Sequence, residues 1–249
     1  MKKNLTKKLL ILSIILAAFL ALPMGAGAMH IMEGYLPIGY SIAWGVVSIP
    51  FLVMGTSKLK KIFAENRRSV MLLAMSGAFI FVISSLKIPS VTGSCSHMTG
   101  TGLAAMLFGV GVTSILAIIV LIFQAVLLAH GGLTTLGANT FSMGIIGPLL
   151  TWILFQTGKK IKINKMVNAF IASSLGGLLT YCVTALQLAL AHPSEIGGVG
   201  ASFSQFIAIF APTQIPLAII EGILTVLILM GMESFASREL ADISFVEAR

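Results

Sequence analysis

Charge is scarce in this chain. Asp, Glu, Lys and Arg make up 10% of its 249 residues, and hydrophobic types make up 57%. Soluble domains carry about 25% charged residues. The mean hydropathy of +1.02 excludes both a soluble globular enzyme and a disordered chain. Cysteine is nearly absent as well. Cys95 and Cys182 lie far apart in sequence and support neither a disulfide scaffold nor a cysteine-based zinc site. No G-x-x-x-x-G-K-[ST] phosphate loop occurs, and no H-E-x-x-H zinc-protease motif. Clear repeats and low-complexity linkers are also missing, so residues 29–249 read as one membrane domain. The net charge of +8 is not a nucleic-acid footprint, because the basic residues come in short runs between apolar stretches.

The first such run opens the chain. MKKNLTKK is followed by the apolar run 9–22, then Pro23, then Ala26-Gly27-Ala28. A positive n-region, an apolar h-region and an A-x-A site form the pattern of a secretory signal peptide. The apolar run is also short for a span, which needs about 20 residues. Residues 1–28 are therefore expected to be removed, leaving Met29 as the new amino-terminus. The alternative is an uncleaved first membrane helix.

Two basic clusters orient the remainder: Lys58, Lys60, Lys61, Arg67 and Arg68, then Lys159, Lys160, Lys162 and Lys165. The positive-inside rule puts both in the cytoplasm. Apolar runs predict spans near 36–56, 69–87, 140–157, 166–190 and 211–232. The stretch 101–130 must cross twice to keep both clusters on one side. It carries Gly109-Val110-Gly111 near its first third and is expected to make two passes, near 101–112 and 113–130. The expected class is an all-α membrane protein with about seven transmembrane helices, mature N-terminus outside and C-terminus cytoplasmic.

All four histidines, His30, His97, His130 and His192, then fall at the outer side. Histidine is the commonest metal-binding side chain. A free Met29 amine, the His30 backbone nitrogen and the His30 ring can wrap one metal in fused chelate rings, nearly in a plane. A fourth nitrogen completes a square, which suits Ni(II), Cu(II) or low-spin Co(II) and disfavours tetrahedral Zn(II). The chelate exists only after cleavage. The plainer alternative is that Met-His after a cleavage site is accidental. The segment 91–102 is an outer loop rich in Gly, Ser and Thr, from which His97 can supply the fourth nitrogen. Cys95 and Met98 are possible soft ligands there, and a simple turn between spans is the alternative. In a third loop, His130 and Asn139 can orient a ligating histidine by hydrogen bonding. Glu33 can offset the metal's charge. His192 reads as an interfacial residue. Glu221, an ionisable group inside the last span, is a functional candidate that can also simply pair within the bundle.

MHIMEGYLP (29–37), TGSCSHMTGTGL (92–103) and FQAVLLAHGGLTTLGANTFSMGIIGP (123–148) resemble, in order, three blocks of the CbiM family. These are the cobalt-specific substrate-capture subunits of energy-coupling factor transporters. The resemblance covers essentially residues 29–232, and Met98 stands where the family more often has proline. It implies a six-helix substrate-capture core plus an added N-terminal helix. It implies Met29, His30 and His97 as metal ligands, and Co2+ as the transported ion, feeding cobalamin synthesis. Its implied partners are a small membrane subunit, a transmembrane coupling subunit and ATP-binding-cassette ATPases, with no cofactor of the chain's own. The competing functions are a nickel subunit of the same type, a passive metal channel, and an intramembrane enzyme using His97 and Glu221.

Overall fold

The computed structural model describes residues 27–28, 30–65, 68–86, 88–89, 94–243 and 245. The expected signal peptide lies outside them except for Gly27 and Ala28, and Met29 lies outside them too. The described chain is almost wholly helical. In order come α1 (Ile38–Glu65), α2 (Ser69–Ser85), α3 (Thr101–Phe108), α4 (Val110–Leu128), α5 (Leu136–Lys160), α6 (Lys165–Ala191), α7 (Gly198–Phe235) and the short α8 (Ser237–Asp242). Three very short strands, β1 (Gly27–Ala28), β2 (Ile88–Pro89) and β3 (Ser94–Ser96), form one sheet in the order β1-β3-β2.

Among the described residues, five helices are long and apolar enough to cross a membrane: α1, α4, α5, α6 and α7. α2 is apolar but only 17 residues long, and α3 has 8. Every expected apolar run therefore contains a helix, but the boundaries differ. α1 continues to Glu65, so Lys58, Lys60 and Lys61 ride on its last turns rather than in a loop. α7 begins at Gly198, not near 211, and carries Pro212 and Pro216 inside it. A membrane helix tolerates interior proline where neighbouring groups satisfy the freed backbone.

The break in 101–130 falls at Gly109, earlier than the expected point after residue 112. Gly109 has φ +78° and ψ 175°, a region essentially closed to residues with a Cβ. Helix α5 carries a π-helical segment, Thr140–Ile146. Such segments are rare and frequent at functional sites.

Helix directions separate two ends. Lys159 of α5 and Lys165 of α6 meet over the Phe245 ring at one end, where Lys165 also pairs with Glu233. Phe155, Leu229, Met232 and Leu240 form the buried core there. At the other end Ile31, Leu36, Leu188 and Phe210 form a second cluster beneath the segment that leads into α1. Between them helices touch backbone to backbone. A Cβ on Gly55 of α1 would lie 2.0 Å from the Gly111 carbonyl oxygen of α4. Small residues at such crossings let membrane helices pack without a hydrophobic drive.

Candidate metal centre

In the uncleaved chain, strand register aligns the first two histidines. β1 runs parallel to β3, with Gly27 opposite Ser94 and Ala28 opposite Cys95. Two residues further along each chain stand His30 and His97. Neighbouring strands lie about 4.8 Å apart, and the two imidazoles stack with centroids 4.4 Å apart and planes 13° from parallel. His130 joins from the end of α4. Ala129 takes a left-handed conformation as the cap, and the His130 N–H returns to the Gln124 carbonyl at 3.1 Å. Its ring stands edge-on to His30 at 4.5 Å and to His97 at 4.9 Å.

The three rings offer nitrogen atoms that all lie within 4.8 Å of one another. His30, His97 and His130 are 3%, 2% and 2% exposed. Burying three polar rings together is costly unless their nitrogens are satisfied, and a metal ion suits such a set.

Hydrogen bonds assign the tautomers. His97 Nδ1 lies 2.8 Å from the Met98 carbonyl oxygen. A carbonyl only accepts, so Nδ1 carries the proton and Nε2 of the neutral ring keeps its lone pair. His30 Nε2 lies 3.2 Å from Met143 Sδ. A thioether also only accepts, so Nε2–H donates and Nδ1 holds the lone pair. The 2.8 Å contact between His30 Nδ1 and His130 Nε2 then has His130 as donor. His97 thus presents Nε2, while the Nδ1 lone pair of His30 accepts the His130 N–H, a bond that a metal at Nδ1 would replace. Met143 belongs to the π-helical segment, which aims its sulfur at His30.

The segment after His30 is held like an added strand. Asn139 accepts the Ile31 N–H at 2.9 Å and donates to the Ile31 carbonyl at 3.1 Å. Thr135 O–H also donates to that carbonyl at 2.6 Å. Asn139 therefore fixes backbone beside His30 rather than a histidine ring. Glu33 stands farther out. It accepts the Thr134 N–H at 3.2 Å, and hydrogen bonds led by the Thr134 side chain hold its carboxyl below the usual carboxylate range, against a smaller effect of burial. Glu33 thus ties the segment to the 130–135 loop and is exposed. His130 stands in the nitrogen cluster itself. His192 stands outside it, its Nε2 2.9 Å from the Tyr35 carbonyl.

Met143 and Tyr181 carried no signal in the sequence reading. Tyr181 O–H donates a short hydrogen bond to the His97 carbonyl. Both are single residues inside apolar helices, where only the fold shows which way they face. Met98 is buried against Ile83 and Leu217.

The profile described as "Cobalt uptake substrate-specific transmembrane region" matches residues 30–239. The chain belongs to the CbiM family. A "Cobalt transport protein CbiM" of Lachnoclostridium phytofermentans is 64% identical over 219 residues, 88% of each chain. One from Clostridium cellulovorans is 47% identical over 247 residues, 99% of this chain and 95% of that one. Among solved structures, one described as a truncated transition metal transporter superposes with a TM-score of 0.72 at 26% identity, covering 82% of this chain and 98% of the other. In this CbiM chain the cluster lies at the junction of all three sequence blocks that carry the resemblance.

Proposed function

We propose that this chain is the Co2+-capturing membrane subunit of an ATP-driven importer that supplies cobalt for cobalamin synthesis. The stacked His30–His97 pair, with lone pairs assigned to Nδ1 and Nε2, carries the reading. After removal of residues 1–28, the Met29 amine and the His30 backbone nitrogen add two donors to these two. Four nitrogens then surround one ion, with His130 beside them. Loss of β1 by cleavage leaves the Ile31 clamp on Asn139 and Thr135 in place. The proposed topology is seven membrane passes, a six-helix core plus the first helix, with the mature amino-terminus outside and the lysine end cytoplasmic.

The sequence has no phosphate loop, so ATP hydrolysis belongs to ABC-type ATPases. A small membrane subunit and a transmembrane coupling subunit complete the proposed assembly. The test is Co2+ uptake by cells making this chain with and without the ATPase subunits. Uptake that needs them, and is competed by Co2+ more strongly than by Ni2+, is the expected result. Equal uptake without them would indicate a passive channel, and stronger competition by Ni2+ would make nickel the cargo.

A further inference from the structure

Glu221 sits in the interior of α7 and is 1% exposed. Its carboxylate accepts three hydrogen bonds: the Thr99 N–H at 2.9 Å, the Thr99 O–H at 2.5 Å and the Gly100 N–H at 2.7 Å. All three donors belong to one turn, two to three residues after His97. A carboxylate is acceptor-only, so converging donors match it, and charge-assisted bonds are roughly twice as strong as neutral ones. Gly100 has φ +68° and caps α3, a backbone bend that turns successive N–H groups toward one anion.

Space for the carboxylate is built in. A Cβ on Gly177 of α6 would lie 3.0 Å from Glu221 Oε2. One residue on, a Cβ on Gly222 would lie 2.3 Å from Ser174 Oγ, so α6 and α7 are in close contact here. The same turn is fixed at two further points. Tyr181 of α6 donates to the His97 carbonyl, and Thr213 of α7 pairs with Ser96 at 2.6 Å. As a stability device alone, a buried charge in a membrane helix is a poor choice, since apolar residues of similar volume often serve equally well. As a device for fixing one conformation of a loop it has a clear use.

We propose that Glu221 is a positioning residue for metal capture: it locks Thr99 and Gly100 and thereby fixes the direction in which His97 presents Nε2. This rests on His97 being a metal ligand. Glu221 itself does not touch the ion.

The experiment uses the purified, cleaved full chain with Co2+ and Ni2+ as probes, reading affinity by titration and geometry from the ligand-field absorption bands. Glu221→Gln turns one acceptor oxygen into an NH2 group facing N–H donors. The expected result is about 10–100-fold weaker Co2+ binding, the usual cost of losing a group that orients a ligating histidine, with a shifted ligand-field band. In the His97→Ala background the same change should alter affinity by less than about twofold, because the two act as one unit. If Glu221→Gln does not accumulate, Thr99→Val decides, since it removes one donor and keeps the carboxylate. A loss of about threefold or more with a band shift supports the proposal. Parental affinity with an unshifted band, or lowered thermal stability alone, overturns it. Parental binding by His97→Ala would overturn the ligand reading instead, so the two failures are distinguishable.

Discussion

His30 and His97 stack with centroids 4.4 Å apart although they belong to segments remote in sequence. In the uncleaved chain the parallel register of Ala28 with Cys95 sets the two segments in step, and after cleavage the Asn139 clamp on Ile31 holds the His30 segment in place. Each histidine is held from behind by an acceptor, Met143 for one and the Met98 carbonyl for the other.

His97→Ala is therefore expected to abolish high-affinity Co2+ binding, whereas His192→Ala should leave it near parental. His130→Ala should fall between, at about 10–100-fold weaker if it acts by orienting His30. Metal content and titration of purified variants with parental thermal stability decide. Complete loss in the His192 variant alone would refute the assignment.

One alanine inserted before Met29 in the mature chain should also remove tight binding. The amine then no longer adjoins the His30 amide, and the fused-ring order of amine, amide and imidazole is broken. Binding as tight as the parent's would show that the amine is not a ligand.

Gly132→Ala tests the contact between the 130–135 loop and the segment after His30. Its Cβ would lie 2.6 Å from Glu33 Cα and 2.7 Å from Glu33 N, backbone atoms that cannot swing aside. Overpacking of this kind costs about 1–3 kcal/mol. Hydrogen exchange at residues 31–34 should rise and Co2+ affinity fall, while the lysine end of the bundle keeps its protection. Unchanged exchange at 31–34 would contradict the close contact.

Glu33 fixes the sign of a pH effect. Its carboxyl is held below the ordinary value of about 4.3. A lowered folded value means its stabilisation is complete above the ordinary value and lost as pH falls through the lowered one. Between about pH 6 and 8 Glu33 stays charged, so pH dependence in that window belongs to the nitrogen donors, which must shed protons to bind metal. Affinity should rise with pH, with the same slope in Glu33→Gln. A flattened slope in that variant would contradict this.

Much of this was legible in the sequence. Apolar runs mark the helices, because only a chain that satisfies its own backbone can cross lipid. The glycines at 109–111 mark a break, and Gly109 alone takes the required conformation. His30 and His97 stood out because the chain has so few histidines. What was not legible depends on direction. Nothing in an apolar helix tells which way Met143 or Tyr181 faces, and the π-helical turn that aims Met143 leaves no periodic signature. Asn139 was expected beside a ring but binds the Ile31 backbone, since an amide pairs with backbone as readily as with imidazole. Glu221 was visible as a buried charge, while its donors lie in a loop far along the chain.

X-ray absorption at the cobalt edge of the cleaved, Co2+-loaded protein tests the four-nitrogen site most directly. The expected spectrum is a near-planar shell of four nitrogen scatterers with the outer-shell signature of two imidazoles, one of them lost in His97→Ala. A sulfur scatterer at bonding distance, or a shell of six oxygens unchanged by His97→Ala, would contradict capture of the ion by the Met29–His30 chelate and His97.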